Sequence, residues 1–377
     1  MDKVIYEGPT GSGKTFQALK KAKSKGSFAY LAPCRQLVYE TFMRYAQPGD
    51  TLSTGELKIK GRKSGNFFGV FESQPPKVDS IIIDECHFLT DPDRGPGLYQ
   101  KINENPEINI FLCTGTRTFR KTELPGFSIE KIKPIRTFQK KEISFGEFLK
   151  RKDQGVPSII FHKYSDNCGQ YGGYPVTADT PIDQRLEAQI AFSRGEIPLI
   201  ECTNVLAQGL NFPAQNILII ANQWDTTEIL AQKIGRLGRP GFNNESDSLT
   251  YCIEVYAGKV KKTKKLQKEK FEEDISWKIE PLIENGHKEA YDYLCNNLPH
   301  EVPEFYVGDS GLFGVDWDKY SFDTLLTLEK NGILPPLDEA DAHYFEQYKE
   351  RTLNARKRAK RIIMREFLSN DRRRKTA

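Results

Sequence analysis

Val4-Ile5-Tyr6-Glu7-Gly8-Pro9-Thr10-Gly11-Ser12-Gly13-Lys14-Thr15-Phe16-Gln17-Ala18-Leu19 is the stretch from which the fold is read. A short apolar run enters a glycine-rich turn, and the turn opens a helix-like segment that reaches Lys23. Glycines at 8, 11 and 13 let consecutive backbone N–H groups turn inward as an anion nest, and the helix start adds partial positive charge. A lysine and a hydroxyl residue follow directly, completing a phosphate-binding loop. Gly8, Thr10, Gly11, Ser12, Gly13, Lys14 and Thr15 are therefore expected to hold ATP, with Lys14 on the β- and γ-phosphates and the Thr15 hydroxyl on Mg²⁺. A plain glycine-rich strand-to-helix turn is the bland alternative.

Outward from the loop, apolar runs of strand length recur at residues 29–32, 80–83 and 108–113, then at 158–161, 199–202, 217–221 and 251–255. Helix-length polar segments separate several of them, which predicts parallel sheets covered on both faces. Single cores stop growing near roughly 250–300 residues. The 377 residues are thus expected to form two α/β domains, 1–140 and 141–258, and a mostly helical accessory region, 259–377, where Phe271, Ile275 and Ile279 recur at helical spacing. The run at 80–83 ends in Asp84 and Glu85, at the strand edge where parallel sheets bind ligands. Beside a phosphate loop, Asp84 is expected to hold the magnesium and Glu85 to orient or deprotonate the attacking water. Without that loop, the pair reads as a solvated edge.

Composition narrows the class. Hydrophobic residues at 38% and charged residues at 28% exclude wholesale disorder. No stretch of about 18 uncharged apolar residues occurs, and no signal peptide is read at the start. Neither secretion nor membrane insertion is expected; the cytoplasm, a nucleoid or a viral replication site is. The seven cysteines form no C-x-x-C pair and are expected as free thiols. Net charge is only +4, but residues 351–377 carry eleven Lys/Arg against Glu366 and Asp371, and residues 259–270 carry seven against Glu269. Two cationic segments on an acidic body point to a polyanionic partner, with a solvated tail as the alternative.

With the loop and the Asp84-Glu85-Cys86-His87 box read, the chain resembles the superfamily 2 helicases of the DExH class. Residues 31–37 resemble motif Ia, 53–56 motif Ib, 113–116 motif III and 202–213 motif V, while Gln232-Lys233-Ile234-Gly235-Arg236-Leu237-Gly238-Arg239 matches motif VI. Residues 90–95 resemble the mitochondrial RNA-degradosome helicases and residues 209–213 the superkiller-like group. The resemblance implies two tandem RecA-like domains with ATP between them. It implies Lys14, Glu85, Gln232, Arg236 and Arg239 as catalytic residues, with Arg239 the first choice for the arginine finger and Arg236 the second. Gly209 and Asn211 would join the ATP site; Pro33, Arg35, Thr54, Gly55 and Thr203 would touch single-stranded or duplex nucleic acid. RNA and DNA both stay open, as do replication or RNA-processing partners.

Some residues carry two readings. Lys58, Lys60, Arg62 and Lys63 with Phe67, Phe68 and Phe71 read either as a strand-gripping hairpin or as a surface hairpin with an inward aromatic face. His162 reads as a nucleic-acid contact or as a packed histidine. Seven residues before Gly8 leave no room for an upstream glutamine motif that reads adenine, and Asn211 stands where many relatives have Asp. A remodelling ATPase without strand separation would share every motif. A nucleotide-dependent scaffold would not need Glu85, Arg236 and Arg239, and a kinase or GTPase would not explain motif VI.

Overall fold

The computed structural model of the chain describes residues 1–9, 11–62, 65–92, 94–115, 124–133, 139–177, 179–203, 214–221, 230, 233–237, 249–255, 305–307, 313–315, 322–332, 334, 337 and 339–376. The first sheet contains β1 (Lys3–Glu7), β2 (Phe28–Ala32), β3 (Thr51–Ser53), β4 (Lys58–Ile59), β5 (Phe67–Val70), β6 (Ser80–Ile83), β7 (Asn109–Thr114) and β8 (Ser128–Lys131). Their spatial order is β4-β3-β5-β2-β6-β7-β1-β8, and every pairing is parallel except β3 with β4. β2 and β6 are buried at each position, as strands covered on both faces must be. Alternation divides their side chains between two cores. Ala29, Leu31, Ile81 and Ile83 face one core with Leu98 and Ile102 of α3 (Gly95–Asn103). Phe28 and Tyr30 face an aromatic core in which Phe42 of α2 (Arg35–Tyr45) meets Phe68 edge-on at 5.4 Å.

The strand order corrects both hairpin readings, because β4 and β5 are not paired with each other. β4 pairs with β3, and β5 lies on the other side of β3. Lys58, Lys60 and Arg62 are exposed, while Phe67, Phe68 and Phe71 are 5%, 0% and 3% exposed. The aromatic residues point inward, Phe67 and Phe71 into the core that holds Leu31 and Phe68 into the aromatic core.

The second sheet contains β9 (Lys140–Glu142), β10 (Ser158–Phe161), β11 (Tyr174–Val176), β12 (Leu199–Cys202), β13 (Asn216–Ala221) and β14 (Leu249–Val255), in the order β11-β12-β10-β13-β14-β9, all parallel. Helices α4 (Phe145–Asp153) and α5 (Ile182–Ser193) pack on it. One buried carboxylate interrupts this core. Glu201 is 0% exposed, and its oxygens accept N–H groups from Gly169 (2.9 Å), Tyr171 (3.0 Å) and Gly173 (2.7 Å) and meet His162 Nε2 at 2.8 Å. His162 is thus a packed histidine that fastens a loop, not a surface contact.

Contacts divide the chain into two units, Met1–Tyr256 with Arg356–Ala377, and Ala257–Ala355. Within the second, β15 (Phe305–Val307) pairs antiparallel with β16 (Phe313–Val315), and α6 (Phe322–Lys330) buries Leu325 and Leu328. Phe271, Ile275 and Ile279 lie outside the described residues. The last helix, α7 (Glu339–Thr376), begins in the second unit, but its final part packs in the first and buries Ala359, Ile362, Ile363 and Phe367. Leu368 in the same stretch stays 48% exposed. The six described cysteines are free thiols, and no described helix is long and apolar enough to cross a membrane.

Candidate active site

The phosphate loop leaves β1 and closes through Ser12 N–H on the Pro9 carbonyl at 3.2 Å. Gly11 and Gly13 have φ of 80° and 88°, a left-handed conformation that costs an ordinary side chain roughly 1–2 kcal/mol. Gly8 has a different reason: a Cβ there would collide with the Ile132 carbonyl. α1 (Lys14–Lys23) starts without a side-chain cap, so its first N–H groups face the loop. Lys14 Nζ donates to the Gly8 carbonyl at 2.6 Å and the Pro9 carbonyl at 2.9 Å, while buried Ser12 Oγ has no partner among the described residues. An uncapped helix start, an ammonium resting on carbonyls and an orphaned hydroxyl together fit a polyphosphate. Thr10 lies outside the described residues.

From β6 the chain delivers Asp84, whose Oδ2 accepts hydrogen bonds from Thr15 Oγ1 and Tyr30 Oη, both 2.8 Å, and whose Oδ1 accepts the Glu85 N–H at 3.0 Å. Burial, then the neighbouring Glu85 charge, pushes the Asp84 carboxyl above the usual carboxylate range. A carboxylate and a hydroxyl are the hard oxygen donors that Mg²⁺ takes, and a cation would relieve that buried charge; the residues fit the ion. Glu85 behaves oppositely. Burial pushes its pKa upward, but the His87 hydrogen bond and charge, with Lys14 and Arg236, outweigh it and leave the group lower than usual. Its backbone is left-handed at φ 52°, and His87 Nδ1 stands 3.4 Å from its carboxylate.

The second sheet's half contributes Arg236, 3% exposed and within electrostatic reach of Glu85, Glu40 and Cys34. Burial lowers its pKa from the usual guanidinium value. Gln36 Nε2 donates to Gln189 Oε1 of α5 at 2.5 Å, and Arg185 of α5 lies 3.6 Å from Glu56. Gln232, Arg239, Gly209 and Asn211 lie outside the described residues.

Of the expected nucleic-acid residues, Gly55 and half-exposed Arg35 stand together, with Arg35 also 3.6 Å from Glu56. Pro33 lends its carbonyl to Arg94 at 2.9 Å. Thr54 is 7% exposed, with its N–H on the Leu57 carbonyl and its hydroxyl against Tyr39 Oη at 2.9 Å. Both of its donors are spent inside the turn. Thr203 follows β12 directly and is partly exposed. Sequence reasoning missed Tyr30, His87, Glu56 and Arg185. Only His87 carried a signal, as the last letter of its box; the others become partners through pairings 17 to 129 residues long, as from Tyr30 to Asp84 and from Glu56 to Arg185.

Comparison with known proteins agrees with this geometry. A family model described as the DEXQ-box helicase domain of Suv3 matches residues 2–123, and one described as the helicase conserved C-terminal domain matches residues 138–241. The chain belongs to the superfamily 2 helicases. This helicase carries His87 where the first description has glutamine. It is 25% identical to the mitochondrial ATP-dependent RNA helicase SUV3 of Saccharomyces paradoxus over 65% of its own length and 37% of that protein. To the Candida albicans SUV3 it is 36% identical over 57% of its length and 33% of the relative, so it spans about a third of both relatives. In fold it is similar to yeast Dbp5 bound to RNA and ADP BeF3, with a TM-score of 0.51, 14% identity, and coverage of 67% of this helicase and 79% of that chain.

Proposed function

We propose that this helicase is a Mg²⁺-dependent ATP hydrolase, stimulated by single-stranded nucleic acid, that moves along its strand. One observation carries the reading: Thr15 and Asp84 share a hydrogen bond beside Glu85, and Arg236 from the other half of the unit lies within reach of that same glutamate. Lys14 exchanges its two carbonyls for the β- and γ-phosphates. Thr15 and Asp84 would hold Mg²⁺, which would supply charge neutralisation to the phosphate oxygens. Glu85, kept ionised by His87, Lys14 and Arg236, accepts a proton from the attacking water. Arg236, and Arg239 by its place in motif VI, offer guanidinium to the charge that grows in the transition state. Gln232 touches the γ-phosphate or the water.

Arg35, Gly55 and Thr203 hold the strand by its phosphates, and RNA is the first strand to test because the SUV3 relatives are RNA helicases by name. The burial of Phe67, Phe68 and Phe71 supports a second reading, movement or remodelling without strand separation, since these three are not available as an exposed wedge beside Lys58 and Lys60. Six free thiols support a reducing compartment as the working place. ATPase rates with single-stranded RNA, single-stranded DNA and duplexes, read beside strand displacement, test both readings. Glu85→Gln should bind Mg-ATP without turning it over, and wild-type turnover by that variant would remove Glu85 from its role.

A further inference from the structure

We infer that the last part of α7, residues 356–376, is a brace that positions Arg236 by tying α5 to α2. Helix α7 first runs along α5. Arg358 Nε donates to Asp183 Oδ2 at 2.6 Å, and Arg194 donates to Glu366 at 2.8 Å. It then reaches the end of α2, where Phe367 packs on Phe42 at 5.8 Å, Asn370 donates to the Met43 carbonyl at 3.1 Å and Arg374 to the Ala46 carbonyl at 3.2 Å. From 358 to 374 the helix rises about 24 Å, enough to span both halves.

Direct contacts from α5 to the first sheet's half include Gln36 with Gln189 and a 3.6 Å ion pair of Arg185 with Glu56. These are two part-buried polar contacts, one of them an ion pair too long for a good hydrogen bond. The brace instead buries Ala359, Ile362, Ile363 and Phe367, and apolar burial is the stronger term. Its ion pair is buried on one side only: the Arg358 side chain is 57% exposed, but Asp183 is 4% exposed and its second oxygen has no partner among the described residues. Removing Arg358 leaves that carboxylate buried and uncompensated. Both family matches end before the brace, at residues 123 and 241. Arg358, Asp183 and Phe367 are positioning residues, acting on ATP turnover through Arg236.

The turnover part of the test rests on the ATPase reading above, so it is paired with a distance. Dyes at exposed Glu104 and Asp153 report separation of the two halves in the full chain. Arg358→Glu should lower basal kcat about tenfold with KM for ATP within about twofold, and widen the dye distance. Adding Asp183→Arg to it should restore both. Phe367→Ala, which leaves the charges of α5 intact, should reproduce the loss, with melting curves confirming a folded protein. Wild-type kcat and dye distance in Arg358→Glu overturn the brace. So does a swapped pair that is no faster than either single variant. If the wild type hydrolyses no ATP, the functional reading fails while the dye distance still decides the brace.

Discussion

Asp84 and Glu85 are chain neighbours whose carboxyls are driven in opposite directions by what surrounds them. Asp84 is raised from 3.8 by burial and by Glu85, so the folded protein holds its proton more tightly than the unfolded chain does. Stability from that proton is present below the unfolded value and is lost as pH rises through the folded one. Asp84→Asn removes the charge, while the Thr15 and Tyr30 hydroxyls can turn to serve the amide. In metal-free buffer at pH 7 the variant should therefore melt above the wild type, with a gap that closes as pH falls through the raised value. Mg²⁺ should stabilise the wild type alone. Melting curves with and without the ion check this, and a metal-free variant less stable than wild type at pH 7 would contradict it. Both residues were legible because strand, carboxylates and phosphate loop form a local pattern; the left-handed turn at Glu85 was not, since no glycine marks it.

At the scale of elements, β12 puts a carboxylate where its pattern calls for an apolar residue. The sequence marked the strand correctly, but Glu201 went unread because its partners at Gly169, Tyr171 and Gly173 are backbone N–H groups, which leave no trace in residue type. Glu201→Gln substitutes an amide whose NH₂ cannot accept from those donors. At least one N–H is left buried and unpaired, and the loss should be about 2–4 kcal/mol of stability by denaturant unfolding. A loss below about half a kcal/mol would mean the loop re-forms without the carboxylate. The phenylalanines of β5 show the complementary limit: alternation sends Phe67 and Phe68 to opposite faces, yet only the placement of α2 decided that Phe68 is core.

For the whole molecule, ATP turnover must need both sheets. Isolated residues 1–140 keep the loop and box but lack Arg236 and Arg239, and each arginine changed to alanine should cost about 10³-fold in turnover with ATP affinity nearly kept. Turnover by residues 1–140 as fast as the full chain would refute a shared cleft. The basic helix also has two faces. Arg358 and Arg374 are used in docking, whereas Lys357, Lys360, Arg361 and Arg365 are exposed on α7. If these four meet phosphates, changing them to glutamine should flatten the slope of log affinity against log salt on a single strand by about 3 units. Parallel lines for wild type and variant would return this face to the role of a solvated surface. Sequence composition found the charge; only the docked structure separates the cations that bind the protein from those that point away.

The edge position of β9 carries a consequence for how the chain is made. β1 to β8 are complete at Lys131, so the first sheet can close as soon as that point leaves the ribosome. β9, next in line, has its only described neighbour in β14, whose first residue, Leu249, pairs with Lys140 from 109 positions further along the chain. At about 5–20 residues per second, that neighbour arrives some 5–20 seconds later. During the wait a lysine-rich strand, Lys140 and Lys141, stays soluble without a partner, which is what charge on an edge strand provides. Residues 356–376 follow roughly a hundred residues after β14, so each newborn molecule passes through a stage in which both sheets have formed before the helix that ties α5 to α2 is made.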